Sequence, residues 1–447
     1  MRRKHNIKKL KKDKGAKNVS EKKWSHILKE KAEYYKGEIW QTSYHFVKWS
    51  LLAIFVGGVV GAISSAFAHV LSTAAFCRKE NPWLLFFLPV AGVTIVFLYK
   101  RFGKDDGGTN QVFSTVRARD EVPATAAPLI FVSTALTHLT GGSAGREGAA
   151  IQLGGSLANQ LGRWIRLDDE DTHVIVMCGM SAGFAALFGT PMAAAIFSLE
   201  VISVGIMYYT ALMPCMIASL MAAGVAEALG VHAERFHISR IPQLTPVNGM
   251  KMGMVAIACA VISIVFCMVL KYVGKGYGKW LKNKYLRIVV AAGIIIVLNL
   301  LLQTTDYMGP GAELIINAVE YGKARPLDFF WKLLLTALTM KAGFKGGEIV
   351  PSFCIGATLG CVLGQVLGLE PGLCAACGMV AVFCGVTNCP ITSMLIAFEL
   401  FGFEGVSYFL IAIAVSYSTS GYYGLYKDQT IVYSKYKAKF VNQKIRS

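Results

Sequence analysis

Charge is scarce in this sequence. Asp, Glu, Lys and Arg supply 16% of the 447 residues, against 54% hydrophobic residues. A soluble domain of this length needs far more charge to cover its surface, which excludes a water-soluble globule. The strict alternation of apolar and polar residues that a membrane barrel requires is missing too. Metal-ligand spacing is also lacking: Cys374 and Cys377 form a C-x-x-C, but no second pair or matching histidines accompany it. Cys178, Cys215, Cys259, Cys267, Cys354, Cys361 and Cys384 fall inside apolar runs, where small packing residues are expected. No metal site and no cofactor is expected.

Long apolar runs take the place of charge. The clearest cover residues 50–76, 83–99, 124–140, 173–188, 207–229, 252–272 and 287–302. A bilayer takes about 20 residues of helix, and only helices satisfy their own backbone across it in this pattern. The chain therefore reads as an all-α integral membrane protein.

The formal charge of +18 gathers at the ends and in loops. Residues 1–36 hold fourteen Lys and Arg against four acidic residues. A basic run can bind nucleic acid, but this one abuts the first apolar run, so the positive-inside rule places it in the cytosol and no nucleic-acid partner is expected. The C-terminal tail, with Lys427, Lys435, Lys437, Lys439, Lys444 and Arg446, is expected there as well. The leader is too long for a cleaved signal, and the tail is too short to fold alone. The expected organisation is a basic tail at 1–40, membrane repeats at 41–240 and 241–430, and a short basic tail at 431–447.

The two halves carry matching segments. FGTPMAAAIFSLE ends at Glu200 and TNCPITSMLIAFE ends at Glu399; Pro191 to Glu200 and Pro390 to Glu399 have the same separation. Upstream, GREGAAIQLGGSLANQLG at 145–162 matches GGEIVPSFCIGATLGCVLGQVLG at 346–368, which aligns Glu147 with Glu348. Transport proteins are commonly built from such repeats, with broken helices whose N-termini meet near the midplane. A helix N-terminus offers free N–H groups and the positive end of the macrodipole, so it binds anions without a lysine. Gly145 and Gly148 allow close backbone approach. Glu147, ionised, can fill such a site itself; protonated, it can swing away and leave the site to an anion. Pairing between Glu147 and Arg146 is the less expected alternative, since adjacent helical residues do not face each other; Arg146 is expected to order a loop through another carboxylate. Glu200 and Glu399 are expected to pair loops.

GREG, the small-residue helix at 182–200 and the GGEIVP block together resemble the CLC family of anion channels and proton-coupled antiporters, over roughly residues 45–430. The resemblance implies an inverted repeat of transmembrane and re-entrant helices, a homodimer with one anion pathway per subunit, and a plasma-membrane location. It makes Glu147 the external gate, and implies an anion site formed by Gly145, Arg146 and Gly148 with the residues of two further motifs, Gly108, Thr109 and Asn110, and Gly346, Gly347, Ile349 and Val350. Three positions depart from chloride-type members. GGTNQ at 107–111, with Gly108, Thr109 and Asn110, replaces a GSGIP-like loop; Glu348 takes a phenylalanine's place among Gly346, Gly347, Ile349 and Val350; and Val201 follows Glu200 where a second glutamate relays protons. All three resemble the fluoride-exporting branch, in which the glutamate of the second motif, here Glu348, stands in for the missing proton relay, although Val350 stands where that branch often has threonine. Fluoride is small and strongly hydrated, so a pore must replace its water with many donors. Thr109 and Asn110 suit it, or equally form an ordinary turn and helix cap. Tyr422, Tyr423 and Tyr426 are candidates for the tyrosine that closes the inner side in chloride-type members; spacing favours Tyr426, and an interfacial aromatic belt accounts for at least one of the others.

The function so implied is proton-coupled export of fluoride, with a chloride channel or chloride/proton antiporter as the alternative, and lipid, fluoride or chloride, and protons as partners. GGSAG at 141–145 also matches G-x-S-x-G with His138 nearby, a serine-hydrolase pattern. That elbow needs a preceding strand, whereas an apolar helix is expected here, and the enzyme reading leaves the Glu147 and Glu348 repeat unexplained.

Overall fold

The computed structural model describes residues 2–103, 108–118, 122–437 and 439–446, with residues 2–30, 32, 33, 117 and 118 as backbone only. Gly107 of the first loop and the side chains of the N-terminal basic run up to residue 30, both singled out above, lie outside the described residues. Two compact units divide the chain, residues 1–52 and 53–447. In the first, the backbone is helical from Arg2, and Tyr34, Tyr35, Trp40, Tyr44 and Phe46 are exposed.

Eight helices belong to the first half of the sequence: α1 (Arg2–Glu80), α2 (Leu88–Phe102), α3 (Thr109–Ala118), α4 (Ala126–Leu139), α5 (Glu147–Ile165), α6 (Asp169–Phe188), α7 (Pro191–Glu200) and α8 (Leu212–Ala228). Eight more follow: α9 (Pro246–Trp280), α10 (Lys284–Leu302), α11 (Ala312–Val319), α12 (Asp328–Ala342), α13 (Ile349–Leu367), α14 (Pro371–Thr387), α15 (Pro390–Phe401) and α16 (Val406–Thr419). Each apolar run is helical along most of its length, those at 83–99 and 207–229 passing through a short 3-10 segment before α2 and α8. The run at 124–140 is a partial exception to the expectation of spans, because α4 has only 14 residues. At 1.5 Å per residue it reaches about 21 Å, short of the ~30 Å hydrocarbon core. Seven helical stretches are long and apolar enough to cross a membrane among the described residues, α13 among them.

The halves form an inverted repeat. Helices α7 and α15 both open on a proline that follows a left-handed residue closing the previous helix, Gly189 (φ 71°) and Asn388 (φ 60°). Glu200, at the end of α7, accepts from the N–H of Ile391 (3.1 Å) and Thr392 (2.9 Å) and from the Thr392 hydroxyl (2.6 Å). Glu399, at the end of α15, accepts from the N–H of Met192 and Ala193, both at 2.9 Å. These carboxylates therefore cap helices of the opposite repeat rather than pair loops. They sit where the first turn of a helix offers unbonded N–H groups.

Glycines hold the inner helices together. A Cβ on Gly154 of α5 would stand 2.1 Å from Gly179 O of α6, and one on Gly356 of α13 2.2 Å from Gly378 O of α14. Lipid tails are as apolar as leucine, so close backbone packing supplies the association that burial supplies in water. Between the pairs, Phe188 stacks on Phe353 (5.5 Å) and Phe353 lies 5.0 Å from Phe383, placing the core where the two halves meet.

A small sheet departs from the all-helical expectation. Strand β1 (Ser203–Val204) pairs in parallel with β2 (Thr430–Tyr433), which pairs antiparallel with β3 (Phe440–Lys444). The tail folds because it adds to residues that follow α7. Gln429 donates to Val201 O (2.8 Å) and Thr387 O (2.7 Å), and Lys435 bonds Asn388 and Ser420.

Candidate functional site

The site forms where the loops before α5 and α13 cross. Gly145 N–H donates to Gly347 O and Gly347 N–H to Gly145 O, each at 2.8 Å, in an isolated antiparallel bridge. Two residues upstream the same exchange recurs with side chains: Ser143 N–H donates to Thr339 Oγ1 (3.2 Å) and Lys345 N–H to Thr137 Oγ1 (3.3 Å). Reciprocal bonds of this kind are what a local two-fold axis produces. A Cβ on Gly347 would stand 2.6 Å from Gly148 N, and one on Gly148 2.9 Å from Gly347 Cα. Only glycines allow this approach.

Helical bonding begins with Ala150 N–H to Arg146 O (2.9 Å) in α5 and Ser352 N–H to Glu348 O (3.1 Å) in α13. The N–H groups of Glu147, Gly148 and Ala149, and of Ile349 and Val350, precede the first helical bond, and these residues are buried. Helix α3 adds a third N-terminus: Thr109, its first residue, lies 3.3 Å through its hydroxyl from Gly148 O. Asn110 follows, its Oδ1 buried with no hydrogen-bond partner among the described residues. Gly108, with φ 58°, opens the turn. Tyr426 is buried and meets Phe113 of α3 edge to face at 4.8 Å. Tyr422 instead bonds Ser434, and Tyr423 lies at an isolated bridge with Arg446. Gly346 contacts Ala144, where a Cβ would come within 2.6 Å.

Glu147 turns back on the N-terminus of its own helix. Its carboxylate is 1% exposed, and Oε2 accepts from the Arg146 N–H at 3.1 Å. The Arg146 guanidinium binds Glu234, as expected of an arginine ordering a loop, but also approaches Glu147 Oε1 at 3.3 Å. That second contact corrects the sequence reading. Arg146 is the cap residue (φ −112°), not a helical residue, so the rule that neighbours on a helix point apart does not govern it. Glu348 caps α13 without a side-chain cap bond and lies 3.7 Å from Lys341 Nζ.

Lys332, Lys341 and Glu234 were not found from the sequence. Lys332 is fully buried in α12 and donates to Gly309 O (2.6 Å), Tyr307 O (3.0 Å) and Ser143 Oγ (3.1 Å). A signal was available, since residues 134–137 and 336–339 both read TALT; that register, which the Gly145–Gly347 bridge shares, pairs Arg146 with Glu348 as the two cap residues and corrects the alignment of Glu147 with Glu348 by one residue. Ser143 follows a helix and a turn, and His138 Nδ1 is engaged with Thr134 O at 3.0 Å, so no nucleophile elbow forms.

Glycine-held helix N-termini, one bearing an enclosed carboxylate, are equipment for moving a small anion through a membrane. Residues 91–421 match the family described as voltage gated chloride channel, and the chain belongs to it. A chloride/fluoride channel protein of Pseudomonas syringae pv. tomato is 36% identical over 88% of each chain. A CLC-type fluoride/proton antiporter of known structure superposes with a TM-score of 0.82 at 34% identity, covering 86% of this chain and 98% of that one. A cyanobacterial Cl−/H+ antiporter, 18% identical, shares the fold with a TM-score of 0.73, over 83% of this chain and 94% of that one. The chain is thus a multi-pass membrane protein of the CLC fold.

Proposed function

We propose that this protein is a fluoride/proton antiporter that uses inward proton movement to export fluoride, acting as a homodimer in the plasma membrane with both termini in the cytosol. The observation that carries this reading is the Glu147 carboxylate, enclosed and folded onto the N-terminus of α5 beside the start of α13. In that place the ionised side chain is itself the occupant of an anion site. A proton from outside neutralises it, the side chain leaves, and a fluoride takes the same N–H donors. Thr109 and Asn110 offer a hydroxyl and an amide to a strongly hydrated ion, and Glu348 receives the proton on the inner side. The name of the antiporter at 34% identity supports fluoride, and that of the Pseudomonas relative covers both chloride and fluoride.

The test is efflux from proteoliposomes, with fluoride, chloride and protons recorded in the same vesicles. The expected result is fluoride efflux well above chloride with protons moving the opposite way, and loss of that proton movement in Glu147→Gln. Comparable chloride flux would return the protein to the chloride-carrying alternative. Uphill fluoride export driven by protons in Glu147→Gln would sink the role given to Glu147.

A further inference from the structure

Five cations, Lys271, Lys275, Arg287, Lys341 and Lys427, line a cleft of about 420 Å³ beside α9, α10 and α12. No carboxylate lines it among the described residues. Its wall includes Leu425, the chain neighbour of buried Tyr426. The cleft thus neighbours the site in the chain at Leu425 and in space at Lys341, beside Glu348. Walls of one charge focus an electric field and raise the local concentration of the opposite ion.

Lys341 belongs to both places. It lines the cleft, and its Nζ is 3.7 Å from Glu348 Oε1. Its stem runs along Gly274 of α9, where a Cβ would lie 3.7 Å from Lys341 Cδ, so the missing side chain leaves the lysine its track. The pair is loose. Its separation exceeds that of a direct N–H···O bond, and the two side chains are 31% and 19% exposed, a setting in which ion pairs are weak and readily exchanged.

We propose that the cleft is the cytosolic loading site for a small inorganic anion, and that Lys341 is a positioning residue that hands the anion inward by trading its ion pair with Glu348 for one with the anion. The inference rests on the activity and orientation proposed above. An anion arriving at Lys341 frees Glu348 to receive the proton coming from Glu147. Once the anion has moved on, Lys341 returns to Glu348 and the proton leaves to the cytosol. Anion entry and proton exit are thereby tied to one ammonium group, which prevents either from running alone.

Reconstituted Lys341→Gln, Lys341→Arg and Lys427→Gln test this, with fluoride titrated on the cytosolic side and protons counted per fluoride. Lys427→Gln should raise half-saturation about threefold or more with the ratio unchanged, as loss of one focusing charge requires. Lys341→Gln should raise half-saturation further and lower the protons moved per fluoride, and Lys341→Arg should restore the ratio. Wild-type half-saturation and ratio in Lys341→Gln would overturn the proposal. So would a slower maximal rate with both quantities unchanged, or a lost ratio that arginine does not rescue. A wild type that carries chloride without protons would refute the activity instead, and the half-saturation shift, measured with chloride, would then decide for or against the cleft.

Discussion

Replacing Glu200 should destabilise this protein more than replacing Glu399, although the two glutamates occupy equivalent positions in the repeat. Glu200 serves three donors, the N–H groups of Ile391 and Thr392 and the Thr392 hydroxyl, and Thr392 is fully buried. Each buried donor left without a partner costs about 1–3 kcal/mol. Taking the low end for partly open Ile391, and subtracting the desolvation that alanine avoids, Glu200→Ala should cost about 2–4 kcal/mol. Glu399 serves only the N–H groups of Met192 and Ala193; Met192, 39% exposed, is as open to water as Ile391 at 44%, so the sites differ by the buried Thr392 hydroxyl, which has no counterpart here. There the figure falls to about 1–2 kcal/mol, the ordinary worth of a helix cap. The assay is the monodisperse fraction on size exclusion after heating in detergent. The midpoint should fall further for Glu200→Ala, with Glu200→Gln intermediate because it keeps one acceptor oxygen. The double variant should show roughly the summed shift, since the carboxylates sit at opposite ends of helices about 15 Å long. Equal shifts, or a larger shift for Glu399→Ala, would refute the reasoning.

Two further outcomes follow from backbone contacts. Gly347→Ala forces a Cβ to 2.6 Å from Gly148 N, so the folded protein should lose fluoride efflux by at least about tenfold, as a misplaced site does; wild-type efflux would show that the bridge tolerates displacement. Gly360→Ala places a Cβ 2.1 Å from Cys374 O, whereas Gly224→Ala meets nothing within 4 Å. The yield of monodisperse protein should drop for the first and stay level for the second, and a matching yield would remove the close-packing argument.

Much of the fold was legible because lipid leaves so few solutions. An apolar run of sufficient length has to be a helix, and all seven runs are helical along most of their length. Helix α12 escaped hydropathy because Asp328, Lys332 and Lys341 interrupt it, and lysines of that kind are tolerated where protein, not lipid, surrounds them. The glycines around Glu147 and Glu348 pointed to helix N-termini, since few other arrangements need a carboxylate after consecutive small residues. The partners of those residues were not legible. Glu234 is 88 residues from Arg146, and Lys332 is 189 from Ser143, separations that leave no periodic trace. Arg146 was misjudged for a local reason, a boundary one residue from where helical geometry starts.

The crossing of the two loops resembles a clasp closed from both sides. Gly145 and Gly347 fasten it twice, and Thr137 and Thr339 each add a bond further out. Many transporters turn a substrate from one face of the membrane to the other by rocking one half against its mate. Here such a movement would tear four bonds beside the proposed anion site. On the function proposed above, the moving part is left to be small: the Glu147 carboxylate, a few atoms that can swing while the four bonds hold.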